Sequence, residues 1–278
     1  MQAETHPGGP AIPVRRPRQV LSTSIPRHWV EDDPGTTHFF DALSSTFPFG
    51  ESFFVRSVNC YRDRIEDPVL RERIRGFAGQ EGQHSRLHDE HVEMLLGEGY
   101  RLIAVRNRIF ERILRWQNRR QPRFSLAVTA ALEHLTALMA RRVLSEPERM
   151  TGAMHPEMGR LWRWHALEEA EHKSVAYDVL TIVAPGLWRR NLAMALVTVE
   201  LAFEVWLRMA YMLYVDGLLW RRGVWTKALR FVFGRGGLLR GVGADYRAWY
   251  RRDFHPDQLD DRALIARHAP GITAEMTA

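Results

Sequence analysis

The chain has 278 residues, of which 45% are hydrophobic and 26% charged, an ordinary balance for a globular protein able to bury one large core or two small ones. Whole-chain disorder, a collagen-like repeat and a disulfide scaffold are excluded, since Cys60 is the single cysteine and can form neither an internal disulfide nor a cysteine-rich zinc site. Lys and Arg number 39 against 33 Asp and Glu, giving a net charge of +6 and a pI near 9.9, a balance that raises nucleic acid or an anionic membrane as a partner.

Residues 1–25 read as a disordered tail, because Pro7, Pro10, Pro13 and Pro17 interrupt any helix. No apolar run follows the first residues, so no export signal is expected and a cytoplasmic location follows. From Phe47 onward apolar residues recur at three- and four-residue spacings, with no alternating strand pattern. The expected helices cover about 47–64, 68–97, 103–119, 123–145, 156–184 and 187–221, with shorter ones near 223–233 and 243–252. Asp67 followed by Pro68 is a helix start, and Gly97 with Gly99 is a stop. The expected organisation is all-α: a four-helix bundle over 26–184, a helical extension over 185–253 packed on it, and a tail over 254–278.

Two Glu-x-x-His motifs carry the chemistry, Glu81 with His84 and Glu169 with His172. A three-residue offset places carboxylate and imidazole on one helix face, one turn apart, where both can reach one metal ion. A dinuclear carboxylate site in a four-helix bundle also needs one Glu from each of the other two helices, and Glu51 and Glu133 stand there. Glu51 and Glu81 lie 15 residues on either side of a turn near residue 66, which puts both roughly 22 Å up that hairpin. Glu133 and Glu169 lie 18 residues on either side of a turn near 151, both roughly 27 Å up.

Glu133 sits in the nearly apolar run Leu126 to Met139, and Glu51 precedes Phe53-Phe54-Val55. A buried carboxylate requires a cation or a proton. Four Glu, two neutral His and two divalent ions balance in charge, and this donor set suits Fe, with Mn or Zn as alternatives. His165 lies four residues before Glu169 on the same face, where it is either a third nitrogen ligand or a packed histidine. Glu51 is close enough to its helix start to serve the helix dipole instead. Glu168 and Glu171 are expected to face solvent, and His88 and His91 to lie at the surface or beside the ligands.

Residues 47–184 resemble the bacterial family of predicted metal-dependent hydrolases, whose members look ferritin-like. The resemblance rests on Phe53-Phe54-Val55-Arg56-Ser57-Val58, Gly79-Gln80-Glu81-Gly82-Gln83-His84, Ala131-Leu132-Glu133-His134, the run Trp162 to Lys173, and Phe254-His255-Pro256. With His165 included, the last ligand helix is also similar to that of di-iron N-oxygenases. Two chemistries fit the ligands: an O₂-dependent di-iron oxidoreductase acting on a small, apolar substrate, which is the leading expectation, and a dinuclear hydrolase as the alternative. A membrane-associated, non-catalytic metal-binding protein is the residual reading.

Leu192 to Trp220 is the most apolar stretch, but Glu200, Glu204 and Arg208 form a stripe that a spanning helix would have to bury in lipid. Residues 101–123 hold eight Arg and one acid, and 221–252 hold nine Lys or Arg and one acid, with Trp interleaved. The expected partners are therefore a small-molecule substrate with O₂, a peripheral membrane contact through 192–252, and a second copy of the chain. Nucleic acid is not expected, since no helix-turn-helix, zinc finger or RNA-recognition motif occurs.

Overall fold

Asp33 and Asp67 set two of the helix starts. Asp33 caps α1 (Pro34–Ser44), its carboxylate accepting from the Gly35 amide at 3.2 Å, and Asp67 caps α3 (Pro68–Gly97) through the Val69 amide at 2.9 Å. In both, proline occupies the first helical position, whose amide would have no partner in the helix. The computed structural model describes residues 10–18, 21–22 and 24–277. Its other helices are α2 (Phe47–Asn59), α4 (Leu102–Arg120), α5 (Pro122–Ser145), α6 (Pro147–Thr151), α7 (Pro156–His172), α8 (Val175–Val183), α9 (Leu187–Val215), α10 (Arg222–Phe233), α11 (Gly243–Ala248) and α12 (Arg262–Thr277). Among the described residues there is no strand, only an isolated bridge between Val30 and Met154. The fold is all-α.

Four helices surround the centre of the molecule. α2 packs along α3 and α5, α5 packs along α7 and α8, and α3 closes against α7 and α8. α9 covers α5 and α1, while α12 lies on α7 and α5. Phe53, Phe77, Leu126 and Val175 belong to one buried apolar cluster, and Phe40, Leu87, Trp164 and Met209 to another. Within α9, Glu204 and Arg208 are buried and point inward: Glu204 pairs with Arg106 and Arg208, and Arg208 also donates to Asn107 Oδ1 at 2.6 Å and Ser45 Oγ at 3.1 Å. No helix among the described residues is long and apolar enough to cross a membrane.

Several expectations need correction. The helix expected over 156–184 is broken after His172, where the Lys173 ammonium turns to Asp261 and the Ser174 hydroxyl accepts from Arg73 at 3.0 Å. The tail expected over 254–278 contains α12, held by Arg141 and Lys173 on Asp261 at its start. α1 had no counterpart among the expected helices. Of the disordered tail expected over 1–25, residues 1–9, 19, 20 and 23 lie outside the described residues. Residues 10–18 run extended across α3, with Ile12 buried. Two glycines permit that approach: a Cβ at Gly76 would fall 2.6 Å from the Ile12 carbonyl oxygen, and one at Gly79 would fall 2.5 Å from a Val14 methyl.

Candidate metal centre

Each of the four central helices brings acidic or imidazole groups to one place. Glu51 stands one turn into α2. α3 presents Glu81 and His84 on one face, α5 presents Glu133, and α7 presents His165, Glu169 and His172. All seven are buried, none more than 4% exposed. Their ligand atoms form overlapping groups, in each of which every atom lies within 4.8 Å of the others: Glu51 with Glu81 and His84, Glu81 with Glu133 and His172, and His84 with His165 and Glu169. Glu81 belongs to two groups and Glu169 lies beside two histidines, so the cluster is continuous. The structure thus brings together all seven residues singled out from the sequence.

The two motif histidines aim opposite nitrogens inward. His172 Nε2 lies 3.1 Å from Glu81 Oε1 and 3.3 Å from Glu133 Oε2, while its Nδ1 is held by Gln80 Oε1 at 2.9 Å. His84 Nδ1 lies 3.8 Å from Glu81 and 3.9 Å from Glu169, while its Nε2 bonds Glu168 Oε2 at 3.0 Å. An outer carboxylate or amide of this kind fixes the ring and its tautomer, as around metal-binding histidines generally. The His84 ring stacks on His165 at 4.2 Å and meets Trp164 edge-on at 4.8 Å; Phe77 meets His172 at 5.1 Å.

Two carboxylates around the cluster differ from expectation. Glu168 does not face solvent: it is fully buried, bound to His84 and to the Arg15 guanidinium at 3.1 Å. Nor does Glu171, whose side chain is 9% exposed and takes two 2.7 Å bonds from Arg15. Arg15 stands on the extended segment 10–18, so that segment brings one positive charge to the two carboxylates behind the histidines. Gln80 Nε2 donates to Glu171 at 2.8 Å, joining this layer to His172. Of the two places expected for His88 and His91, the surface is excluded, since both are fully buried, and His88 lies beside the ligand candidate His165. His88 Nε2 bonds His165 Nδ1 at 2.7 Å, and Ser44 Oγ bonds both His88 Nδ1 and His91 Nδ1 at 2.7 Å. His91 Nε2 then lies 3.0 Å from Asp41, whose other oxygen meets His38 Nδ1 at 3.0 Å, and His38 Nε2 meets Asp216 at 2.9 Å. A file of polar side chains therefore runs from Glu169 through the interior to Asp216.

The electrostatics are those of a site with too many buried acids for its own bases. Burial and the nearby Glu81 hold the Glu51 carboxyl well above the usual range. Burial also lifts Glu133, to about 8, against the pull of His172. Burial opposes the charged form of His84, but its bonds to Glu168 and Glu81 raise it to about 10. The fit to cations is direct. Both oxygens of Glu51, Glu81 and Glu133, together with His84 Nδ1 and His172 Nε2, are buried and make no well-aligned hydrogen bond. Such orphaned groups cost free energy in a folded chain unless something else binds them, and divalent ions are bound by this combination of carboxylate oxygen and imidazole nitrogen.

A family model described as predicted metal-dependent hydrolase matches residues 13–260. No curated protein and no solved structure matches the chain. The family match starts in the segment that carries Arg15, includes all seven clustered residues and runs past α11, so this chain belongs to the predicted metal-dependent hydrolase family.

Proposed function

We propose that the cluster is a dinuclear metal centre in a ferritin-like bundle and that the protein is a metal-dependent hydrolase. The observation that carries the reading is the pair of ligand triads sharing Glu81, with their inward atoms otherwise without partners. Glu51, Glu81 and His84 would hold one ion, with Glu169 and His165 beside it, and Glu81, Glu133 and His172 the other. When bound, two divalent ions would supply Lewis acidity and lower the pKa of water at the site, or, as iron, would supply electrons to O₂. The chain's own residues do the rest. Glu168 and Gln80 fix the outward nitrogens of His84 and His172, and Arg15 pairs with both Glu168 and Glu171 and offsets part of their charge. Thr136 donates to Glu169 Oε2 and fixes that carboxylate. Trp164, Phe77 and Phe47 keep bulk water from the rings.

A second reading, an O₂-dependent di-iron oxidoreductase, is favoured by one feature: every inward donor is a Glu or His on a helix, as in di-iron carboxylate bundles. One experiment separates the two. The chain is loaded anaerobically with Fe(II), or aerobically with Zn(II) or Mn(II), and assayed for ester and phosphoester hydrolysis and for O₂ uptake. Hydrolysis that requires metal and is lost in Glu81→Ala supports the hydrolase. Stoichiometric O₂ uptake by the iron form without hydrolysis supports the oxidoreductase and refutes the hydrolase.

A further inference from the structure

A cavity of about 240 Å³ lies between α2, α4, α5 and α9, well above the roughly 10–15 Å³ that admits one water. Its walls include Phe53, Phe110, Leu114, Val128 and Leu201. Its mouth is at the surface, where Ile113 and Leu196 are 48% and 51% exposed. The inner end is formed by Phe47 and Thr136, which also line a small void of about 30 Å³ bounded by His165 and Glu169. Two side chains thus separate an apolar passage from the candidate metal centre, and one of them donates to Glu169.

Three observations define what such a passage takes. Of the two carboxylates on its wall, Glu204 is already neutralised by Arg106 and Arg208, and Glu200 is exposed to solvent. Outside the mouth, apolar side chains continue along both flanking helices, through Ile109 and Trp116 on α4 and Val199 and Phe203 on α9, all exposed. A polar substrate moving along these walls would lose its hydration with little in return, at a cost of about 2–7 kcal/mol for each unpaired amide or hydroxyl, whereas an aliphatic chain gains from the burial. One buried donor on the wall, Gln117 Nε2, has no partner and would pair with an acceptor atom on the chain at that level. The larger cavity of about 610 Å³ beside α12 is lined by none of the seven clustered residues.

We infer that the substrate carries an aliphatic chain, that the chain enters between α4 and α9 and lies in this cavity, and that its reacting group stops at Thr136 beside Glu169. This rests on the cluster being the reaction centre. The test uses the full chain, metal-loaded, with the fluorescent fatty acid cis-parinaric acid as probe and octanoate, dodecanoate and hexadecanoate as competitors. Val128→Phe fills the interior of the cavity, and Leu196→Trp, at a half-exposed position that tolerates bulk, obstructs its mouth. Saturable probe binding that weakens at least tenfold in both variants is expected, with metal content equal to that of the wild type. No binding by the wild type, or binding by either variant as tight as that of the wild type, overturns the inference. Metal analysis of the same samples is scored separately: a wild type without metal refutes the metal centre, whereas a metal-loaded chain that binds no fatty acid refutes only this assignment.

Discussion

Replacing His38 by Gln will remove a stabilising interaction whose strength depends on pH. The His38 ring is fully buried between two carboxylates, with Nδ1 3.0 Å from Asp41 and Nε2 2.9 Å from Asp216, and so ties α1 to the end of α9. Burial favours the neutral ring, but the bonds to Asp216 and Asp41 outweigh it and raise the pKa from 6.5 to about 9. That difference corresponds to roughly 3 kcal/mol of stability. Because the folded value lies above the unfolded one, the contribution is complete below about pH 6.5 and is lost as pH rises through about 9. Urea unfolding at pH 6.5 and 9.5, with a chelator present, measures it. The wild type should lose roughly 3 kcal/mol more than His38→Gln between the two values. Equal losses in the two proteins would refute the reasoning, since they would mean that the ring is not held protonated by Asp41 and Asp216.

Three further outcomes follow from the same structure. Glu168→Gln keeps a side chain beside His84 Nε2 but removes the charge; metal affinity in a chelator competition should fall about 10–100-fold, and unchanged affinity would remove Glu168 from the site. Glu204→Ala leaves Arg208 buried without its carboxylate, and chemical unfolding should show a loss of about 3–5 kcal/mol; a loss under 1 kcal/mol would mean that Ser45 and Asn107 suffice to hold Arg208. The exposed Trp116 lies in one Arg-rich segment and the exposed Trp220 adjoins the other, and we propose that they seat the protein on anionic lipid. Co-sedimentation with anionic vesicles at low salt, weakened by salt and by Trp220→Ala, is the expected result, and no sedimentation at low salt would contradict it.

The parts of the molecule that were readable from sequence are those set by local rules. α3 begins and ends where Asp67-Pro68 and Gly97 say it should, because capping and a proline start depend only on neighbouring residues. The two Glu-x-x-His motifs were readable because three residues on a helix make one face. Glu168 was on the same face too, three residues after His165 and four before His172, but its partner is His84 on α3. That contact exists only once α3 and α7 are packed, and an isolated helix gives no sign of it. His88 and His91 follow His84 by four and seven, which left them either at the surface or beside the ligands; Ser44, Asp41 and His165 supply the buried partners that decide for the interior. α1 is short, with its polar residues His38 and Asp41 turned inward, so it lacks the apolar periodicity that marks a helix. α12 contains Pro270 followed by Gly271, both poor helix formers, and lies in the stretch expected to be a tail. The cluster of seven was therefore accessible from sequence, while the layer that orients it was not.

The central claim is that these seven side chains bind metal, and metal content tests it most directly. Protein purified without a metal-binding tag, then dialysed and analysed by mass spectrometry, should hold about two ions per chain. Glu81→Ala should lose dinuclear loading, because Glu81 belongs to both triads, and His172→Ala should lose at least one ion. A folded wild type that binds no divalent ion, or two variants that each keep two ions, would contradict the account.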